Sequence, residues 1–456
     1  MKWIDLAGKA AAKLKKLTHA QILVGGFAAL ILFGTVLLML PVSSASGEGA
    51  GFLTALFTST SASCVTGLIV VDTGTYWSAF GQCVILFLIQ IGGLGFMAMA
   101  TLLFLLAGKK ISVKSRMLIK TSFNVDTLEG IIRYVKYVVA FTFLVELTGA
   151  ILLSGVFIPA YGVKRGIFMS VFHAISAFCN AGFDVVGGGA GLTPFVGNLL
   201  LNLVICLLII IGGLGFAVVM DIISKRRFTQ YELNTKVVLL STGVLILFGM
   251  IVVFIAEFNN PATMGKMDLG GKALASFFAS VTPRTAGYNT IDMAAITDPT
   301  KIVTTMLMFI GGSPGSTAGG IKTTAFTLFI LVMLRTLKGH DDVNLFQRRI
   351  RDSVVKRALA MTMMAVLWTV LATLLLTFSE PASIGDLLFE VVSALGTVGL
   401  TVGVTPNLSC FGRIVIILTM FMGRVGLITI AYAIMHHREI VSSAGSYKYP
   451  DGSLLL

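Results

Sequence analysis

Ser61-Ala62-Ser63-Cys64-Val65-Thr66-Gly67 recurs as Ser176-Ala177-Phe178-Cys179-Asn180-Ala181-Gly182 and again as Ser393-Ala394-Leu395-Gly396-Thr397-Val398-Gly399. Ser-Ala stands at the same offset before each closing glycine. A fourth, weaker copy reads Val281-Thr282-Pro283-Arg284-Thr285-Ala286-Gly287-Tyr288-Asn289; it loses Ser-Ala but keeps a small residue before its glycine and an aromatic after it. The four glycines lie 115, 105 and 112 residues apart. Downstream of each comes a second marker: Ile91-Gly92-Gly93-Leu94-Gly95-Phe96, the identical Ile211-Gly212-Gly213-Leu214-Gly215-Phe216, Ile310-Gly311-Gly312-Ser313-Pro314-Gly315, and Met422-Gly423-Arg424-Val425-Gly426. Close packing of membrane helices accounts for glycines in the second marker alone. Two markers in one order, four times over, indicate a fourfold internal repeat.

What surrounds the repeats is strongly apolar. In 456 residues, 56% are hydrophobic and 12% charged, and the mean hydropathy is +0.93, too few polar side chains to solvate a soluble globule. The chain reads as an all-α polytopic membrane protein. Long helical spans are expected near 21–40, 77–107, 134–158, 196–223, 235–257, 300–336, 354–378 and 411–435, which form four pairs. Each pair encloses a shorter apolar stretch ending in the glycine marker, which suits a re-entrant half-helix better than a surface loop. The expected architecture is therefore four pseudo-symmetric units of membrane helix, pore half-helix with filter loop, and membrane helix around one central pore. The units fall at 20–115, 116–228, 229–345 and 346–440, flanked by an N-terminal arm (1–19) and a C-terminal tail (441–456).

The net charge of +13 and pI near 9.6 reflect where Lys and Arg lie. They concentrate in the N-terminal arm, in 108–136, 224–236 and 335–357, and in the tail, with few in the intervening connections. By the positive-inside rule both termini and the three basic loops are cytoplasmic. Orientation accounts for the basicity, and no nucleic-acid partner is needed. The five cysteines show no ligand spacing, so neither a zinc site nor a disulfide framework is expected. A basic arm, an apolar stretch and Ser43-Ser44-Ala45-Ser46 mimic a cleavable signal, but the first repeat needs that helix retained.

Four half-helices converging on one axis would place four glycine segments at a common narrow point. A partly dehydrated cation needs oxygen dipoles there, and backbone carbonyls supply them if the chain can turn them inward. Glycine permits the positive φ this requires. The negative C-terminal ends of the half-helices would favour a cation beneath.

Thr397-Val398-Gly399-Leu400 and Thr285-Ala286-Gly287-Tyr288 resemble single-glycine relatives of the potassium-channel filter Thr-Val-Gly-Tyr-Gly. Across about residues 20 to 440 the chain resembles the Trk/Ktr/HKT superfamily of cation transporters, and is most similar to its KtrB-type membrane subunits. The resemblance implies that carbonyls of Val65, Thr66 and Gly67, of Asn180, Ala181 and Gly182, of Thr285, Ala286 and Gly287, and of Thr397, Val398 and Gly399 coordinate K+. In plant members a serine at the first such glycine goes with sodium transport, so Gly67 points to potassium. It also implies a bacterial plasma-membrane location, a homodimer, and a cytoplasmic KtrA-type nucleotide-binding ring. Nucleotide would bind that partner, no cofactor would bind this chain, and Na+ stays open as a co-ion. The basic loops could dock the ring or attract lipid phosphates.

In the third repeat, Gly311, Gly312, Ser313, Pro314, Gly315, Ser316, Thr317, Ala318, Gly319 and Gly320 make continuous helix costly. An unwound intramembrane loop is expected over 311–322, and the resemblance implies that it gates the pore. Arg424 replaces the second glycine of its marker, and an intramembrane cation has a partner or a task. It would act as an electrostatic barrier, brace the loop, or do both. Lys322 would face the opposite side of the gate or reach toward the cytoplasm. Asp72, Asp184 and Asp292 follow their filter glycines closely and would either ring the outer mouth or cap local turns. Arg284 would brace the third segment from behind. No phosphate-binding loop is present, because Gly315–Lys322 lacks the preceding strand. A membrane-embedded enzyme is the competing class, but His173, Glu146, Glu257, Glu390 and Asp221 form no shared pattern.

Overall fold

The computed structural model describes residues 18–95, 99, 117, 130–339 and 342–435. The expected N-terminal arm (save its last two residues), most of the 108–136 basic loop, and the 441–456 tail lie outside the described residues. Four long apolar helices dominate: α1 (His19–Leu38), α4 (Ile131–Tyr161), α8 (Leu233–Glu257) and α12 (Asp352–Thr377). Each is long and apolar enough to cross a bilayer. Their outer faces expose large apolar residues such as Val36, Leu144, Ile255 and Leu367, as a lipid-facing surface requires. Thr18 and Gln21 cap the start of α1 reciprocally.

Each long helix is followed by a shorter one: α2 (Phe52–Ser63), α5 (Val163–Phe178), α9 (Leu269–Val281) and α13 (Ile384–Gly396). At about 1.5 Å per residue these reach roughly 18–24 Å, short of a hydrocarbon core of about 30 Å. Their C-terminal halves are mostly buried, unlike the long helices. Phe389 through Gly396 of α13, for example, form an uninterrupted buried run. Ser59 secures α2 to α1 through the Ile31 carbonyl (2.6 Å), and Ser280 secures α9 to α8 through the Ile246 carbonyl (2.6 Å).

The third members of the sets depart from expectation. The spans expected at 77–107, 196–223 and 411–435 are not continuous helices. α3 (Ala79–Leu94) stops at Gly95; α6 (Leu199–Leu214) and α7 (Phe216–Ser224) meet at Gly215 with a 96° bend; the fourth set breaks at Gly426. Gly95, Gly215 and Gly426 have φ of 82°, 96° and 92°, incompatible with a right-handed helix. The last glycine of the second marker is thus a helix break. In the third set α10 (Asp298–Phe309) and α11 (Thr323–Leu337) are separated by non-helical Ile310–Lys322. α14 (Cys410–Val425) and α15 (Leu427–Ile434) follow α13, bent by 97°. α15 packs back on α1, where Gln21 donates to the Ala433 carbonyl (3.3 Å), so the last set meets the first. One small departure from an all-helical chain is the hairpin β1 (Asn344–Leu345) and β2 (Arg348–Arg349) in a basic segment.

Candidate functional site

The four short helices end alike. Val65, Asn180, Thr285 and Thr397 follow them with φ of 58°, 59°, 72° and 52°, among only six non-glycine residues with positive φ among the described residues. Three of the four are β-branched, for which this conformation is strained. Two residues on, Gly67, Gly182, Gly287 and Gly399 also have positive φ.

What holds this conformation is the amide side of the backbone. The N–H of Thr66, Ala181 and Val398 donates to the carbonyl of Ser61, Ser176 and Ser393, each at 2.8 Å. The Ser61 and Ser393 hydroxyls also accept from the N–H of Gly67 and Gly399, both at 3.1 Å. Ser176 instead donates to the Phe183 carbonyl (2.9 Å). In the third set Thr282 does the same for Tyr288, and its carbonyl accepts from Ala286. The serine of the repeated Ser-Ala is therefore the tie that folds the segment back on its helix. Thr282, one place nearer its glycine, replaces it. With the amides so engaged, the carbonyls of Val65, Thr66 and Gly67, and their equivalents, accept no hydrogen bond among the described residues.

The segments close on each other in chain order. A Cβ on Gly67 would overlap the Ala181 carbonyl oxygen, and one on Gly182 would overlap that of Ala286. One on Gly287 would overlap that of Val398, and one on Gly399 that of Thr66. Each glycine is required twice, once by φ and once by its neighbour. Asn180 and Thr285 reinforce one junction, their side chains 3.1 Å apart, with the Asn180 amide oriented so that its nitrogen reaches the Ala177 and Ile209 carbonyls. Tyr288 reinforces it again by donating to the Phe183 carbonyl (3.0 Å).

The second marker seats these ends. A Cβ on Gly92, Gly212 or Gly423 would strike the carbonyl of Ser63, Phe178 or Leu395, the last turn of the short helix in its own set. Beneath lies the 310–322 loop. Its Ser313 and Thr317 amides donate to the Gly213 and Gly212 carbonyls (3.0 and 3.2 Å), and the Thr317 hydroxyl sits at 3.1 and 3.0 Å from the Phe178 and Gly212 carbonyls. Gly319 lies against Thr397 with no room for a side chain, and Gly320, at φ 68°, packs against Gly311 and Gly396. Arg424 donates to the carbonyls of Thr317, Gly92 and Gly93, bridging the loop to the far side of the assembly. Lys322 takes neither course foreseen for it. Its ammonium turns back to the Ala318 carbonyl (2.8 Å) within the loop.

Residues 8–442 match the family described as TrkH, cation transport protein. The chain belongs to this family. It is 42% identical to the Ktr system potassium uptake protein B of Bacillus subtilis, covering 97% of each chain. It is equally similar (42%) to the potassium/sodium uptake protein NtpJ of Enterococcus hirae, covering 97% of this chain and 98% of that one. The potassium transporter TrkH of Vibrio parahaemolyticus shares the fold, with a TM-score of 0.72 over 91% of this chain and 85% of that chain at 19% identity. The protein is a membrane cation transporter of the Trk/Ktr group and not an enzyme.

The acidic residues weighed against that class serve as ties. Glu390 accepts from the Thr401 and Thr405 hydroxyls and the Val402 amide (3.1 Å), fixing the chain after Gly399. Glu257 holds Thr297 and Thr263, and Glu146 accepts from Gln90 (3.2 Å). Asp72, Asp184 and Asp292 each accept a local backbone N–H, of Thr75, Val186 and Ala294. Asp72 also accepts from the Gly189 amide (2.6 Å), joining the first and second outer loops. Burial, and then the nearby Asp72 charge, push the Asp184 carboxyl up to about 6. Sequence alone gave no sign of Thr242, which lines a small cavity beside Arg284 from within a featureless apolar span.

Proposed function

We propose that the chain carries potassium into the cell through a central pore whose filter is the ring formed by Val65–Gly67, Asn180–Gly182, Thr285–Gly287 and Thr397–Gly399. The observation that carries this is the cyclic contact of each glycine with its neighbour's carbonyl, together with carbonyls that accept no hydrogen bond. Buried carbonyls need a partner, and a dehydrated cation is the partner that four converging rows suit. The short helices' C-terminal ends add negative potential below. The four sets act as pseudo-symmetric repeats with re-entrant half-helices.

The 311–322 loop, held by Arg424 and Lys322, is the gate. Moving it aside requires loss of the Thr317 and Arg424 bonds, which an input from outside the membrane can drive. A KtrA-type nucleotide-binding ring at the cytoplasmic basic loops supplies that input, a homodimer is the working unit, and both termini face the cytoplasm of a bacterial cell. Two relatives named as a potassium uptake protein of a Ktr system and a potassium/sodium uptake protein support potassium as cargo and leave sodium as co-ion or competitor.

Rubidium uptake into liposomes carrying the protein, with an interior-negative potential, tests this. Potassium should block uptake at far lower concentration than sodium. Equal block by both ions, or no uptake with or without a nucleotide-binding partner, would overturn it.

A further inference from the structure

Gln90 of α3, Glu146 of α4 and Cys179 at the end of α5 meet inside the molecule. Glu146 is only 4% exposed, and Cys179 is fully buried. The Gln90 amide donates to the Glu146 carboxyl (3.2 Å), and the Cys179 thiol lies 3.9 Å from that carboxyl and 3.8 Å from the Gln90 side-chain oxygen. No basic side chain pairs with the carboxyl among the described residues, so hydrogen bonding is what it offers its neighbours. Cys179 immediately precedes Asn180, the strained residue that opens the second glycine segment, and Gly93 closes on its side chain from α3.

The other sets pack the same place without such polarity. Gly34, Gly149 and Gly249 lie against Leu88, Leu208 and Leu307, each four residues before the second-marker glycine of its set, which puts α1, α4 and α8 in one register. In that register Glu146 corresponds to Ile31 and Ile246. Gln90, two residues before its marker glycine, corresponds to Ile210, Phe309 and Phe421. A carboxyl and an amide therefore stand where the sibling sets keep apolar side chains, in an interior where buried polarity is costly. The ties differ too. Ser59 and Ser280 bond the Ile31 and Ile246 carbonyls, six and five residues ahead of Val65 and Thr285. The matching residue of α5 is Ala174, which has no hydroxyl. The second set instead grips its short helix one residue before Asn180, through the Glu146 side chain.

We propose that Glu146, partnered by Gln90, is a positioning residue for the second filter segment and thereby sets how well the pore discriminates between cations. It acts through Cys179. A thiol is a weak donor, and the oxygens of Glu146 and Gln90 give it two acceptors while Gly93 fills the space beside it. Asn180 in turn meets Thr285, so a shift here reaches the third segment as well. The effects on flux rest on the filter assignment above; the effect on the segment's position does not.

Glu146→Ile copies Ile31 and Ile246, and Gln90→Ile copies Ile210, so both introduce side chains that the same register already packs. Two measurements on the full-length protein read the result: rubidium uptake into liposomes with potassium or sodium as competitor, and a cryo-EM structure of Glu146→Ile in potassium. Glu146→Ile should raise the KM for rubidium and lower the preference for potassium over sodium, each about fivefold, the size of one lost hydrogen bond, with Vmax within about twofold. Glu146→Gln can keep the bond to Gln90 and should stay within about twofold of wild type. Gln90→Ile should match Glu146→Ile, and the double variant should be no worse than either. If Glu146→Ile fails to fold, Gln90→Ile carries both measurements. In the structure Cys179 and Asn180 should be displaced, with Val65–Gly67 and Thr397–Gly399 moving less. Unchanged KM and preference, a fall in Vmax alone, an equal loss in Glu146→Gln, or an undisplaced segment would overturn the positioning role. Displacement in a protein whose wild type shows no potassium-selective uptake would sink the filter assignment and leave the role of Glu146 in placing the segment.

Discussion

Gly67 has φ of 91° and stands against the Ala181 carbonyl, so a serine there faces backbone strain and a displaced carbonyl together. Gly67→Ser should lower the preference for potassium over sodium about tenfold, equivalent to about 1.4 kcal/mol, read as the ratio of inhibition constants against rubidium uptake. An unchanged ratio would remove Gly67 from the filter. Asp184 carries a different expectation. Its carboxyl is raised to about 6, so it binds protons more readily in the folded protein than in the unfolded chain. The stability this protonation contributes is therefore present at low pH and is lost as pH rises through about 6. If Asp184 belongs to the outer mouth of the pore, its charge there runs the other way and disappears as pH falls through about 6. Initial uptake at subsaturating rubidium should drop about twofold between pH 7.5 and 5.5, while Asp184→Asn should be flat across that range. A wild-type profile without that inflection would exclude Asp184 from cation capture.

The helix break at Gly215 and the hydroxyl ties at Ser61 and Ser393 show what distinguishes legible elements from hidden ones. The short helices and the unwound 310–322 segment follow from chain length, glycine and proline, which act locally. Gly95, Gly215 and Gly426 were ambiguous, because glycine in a membrane helix serves close packing and helix breaking equally well. Both uses occur in one marker: Gly212 packs against the Phe178 carbonyl, and Gly215 turns the chain. Nor could spacing reveal the cavity at Thr242, whose neighbours come from three separate elements. The loop's retention is specific enough to test. Thr317→Val removes a hydroxyl placed against the Phe178 and Gly212 carbonyls, a loss of about 1 kcal/mol. If this loop is the gate, uptake in the absence of any partner should rise about fivefold. A fall in uptake with unchanged protein yield would instead make the loop part of the conducting path's support.

At the scale of the whole molecule, the four segments are not independent sites. Each glycine is confined by the preceding residue's carbonyl in the next segment, around to Gly399 against Thr66. A disturbance at one junction is therefore felt by two segments, and the ring should respond as a unit. Contacting groups couple, whereas distant sites add. Gly67→Ser and Gly287→Ser lie at opposite positions in the cycle and share neighbours on both sides, since Ala181–Gly182 and Val398–Gly399 each touch one of them or complete the contact between them. Were the sites separate, two losses of about 1.4 kcal/mol would give about a hundredfold drop in potassium preference. In a coupled ring the first substitution already spoils the common geometry, and the double variant should stay within about threefold of the worse single one. Inhibition constants for potassium and sodium on the two singles and the double measure this directly. Full additivity would mean that each segment selects ions on its own, and that the contacts between the segments are packing without a shared role in selectivity.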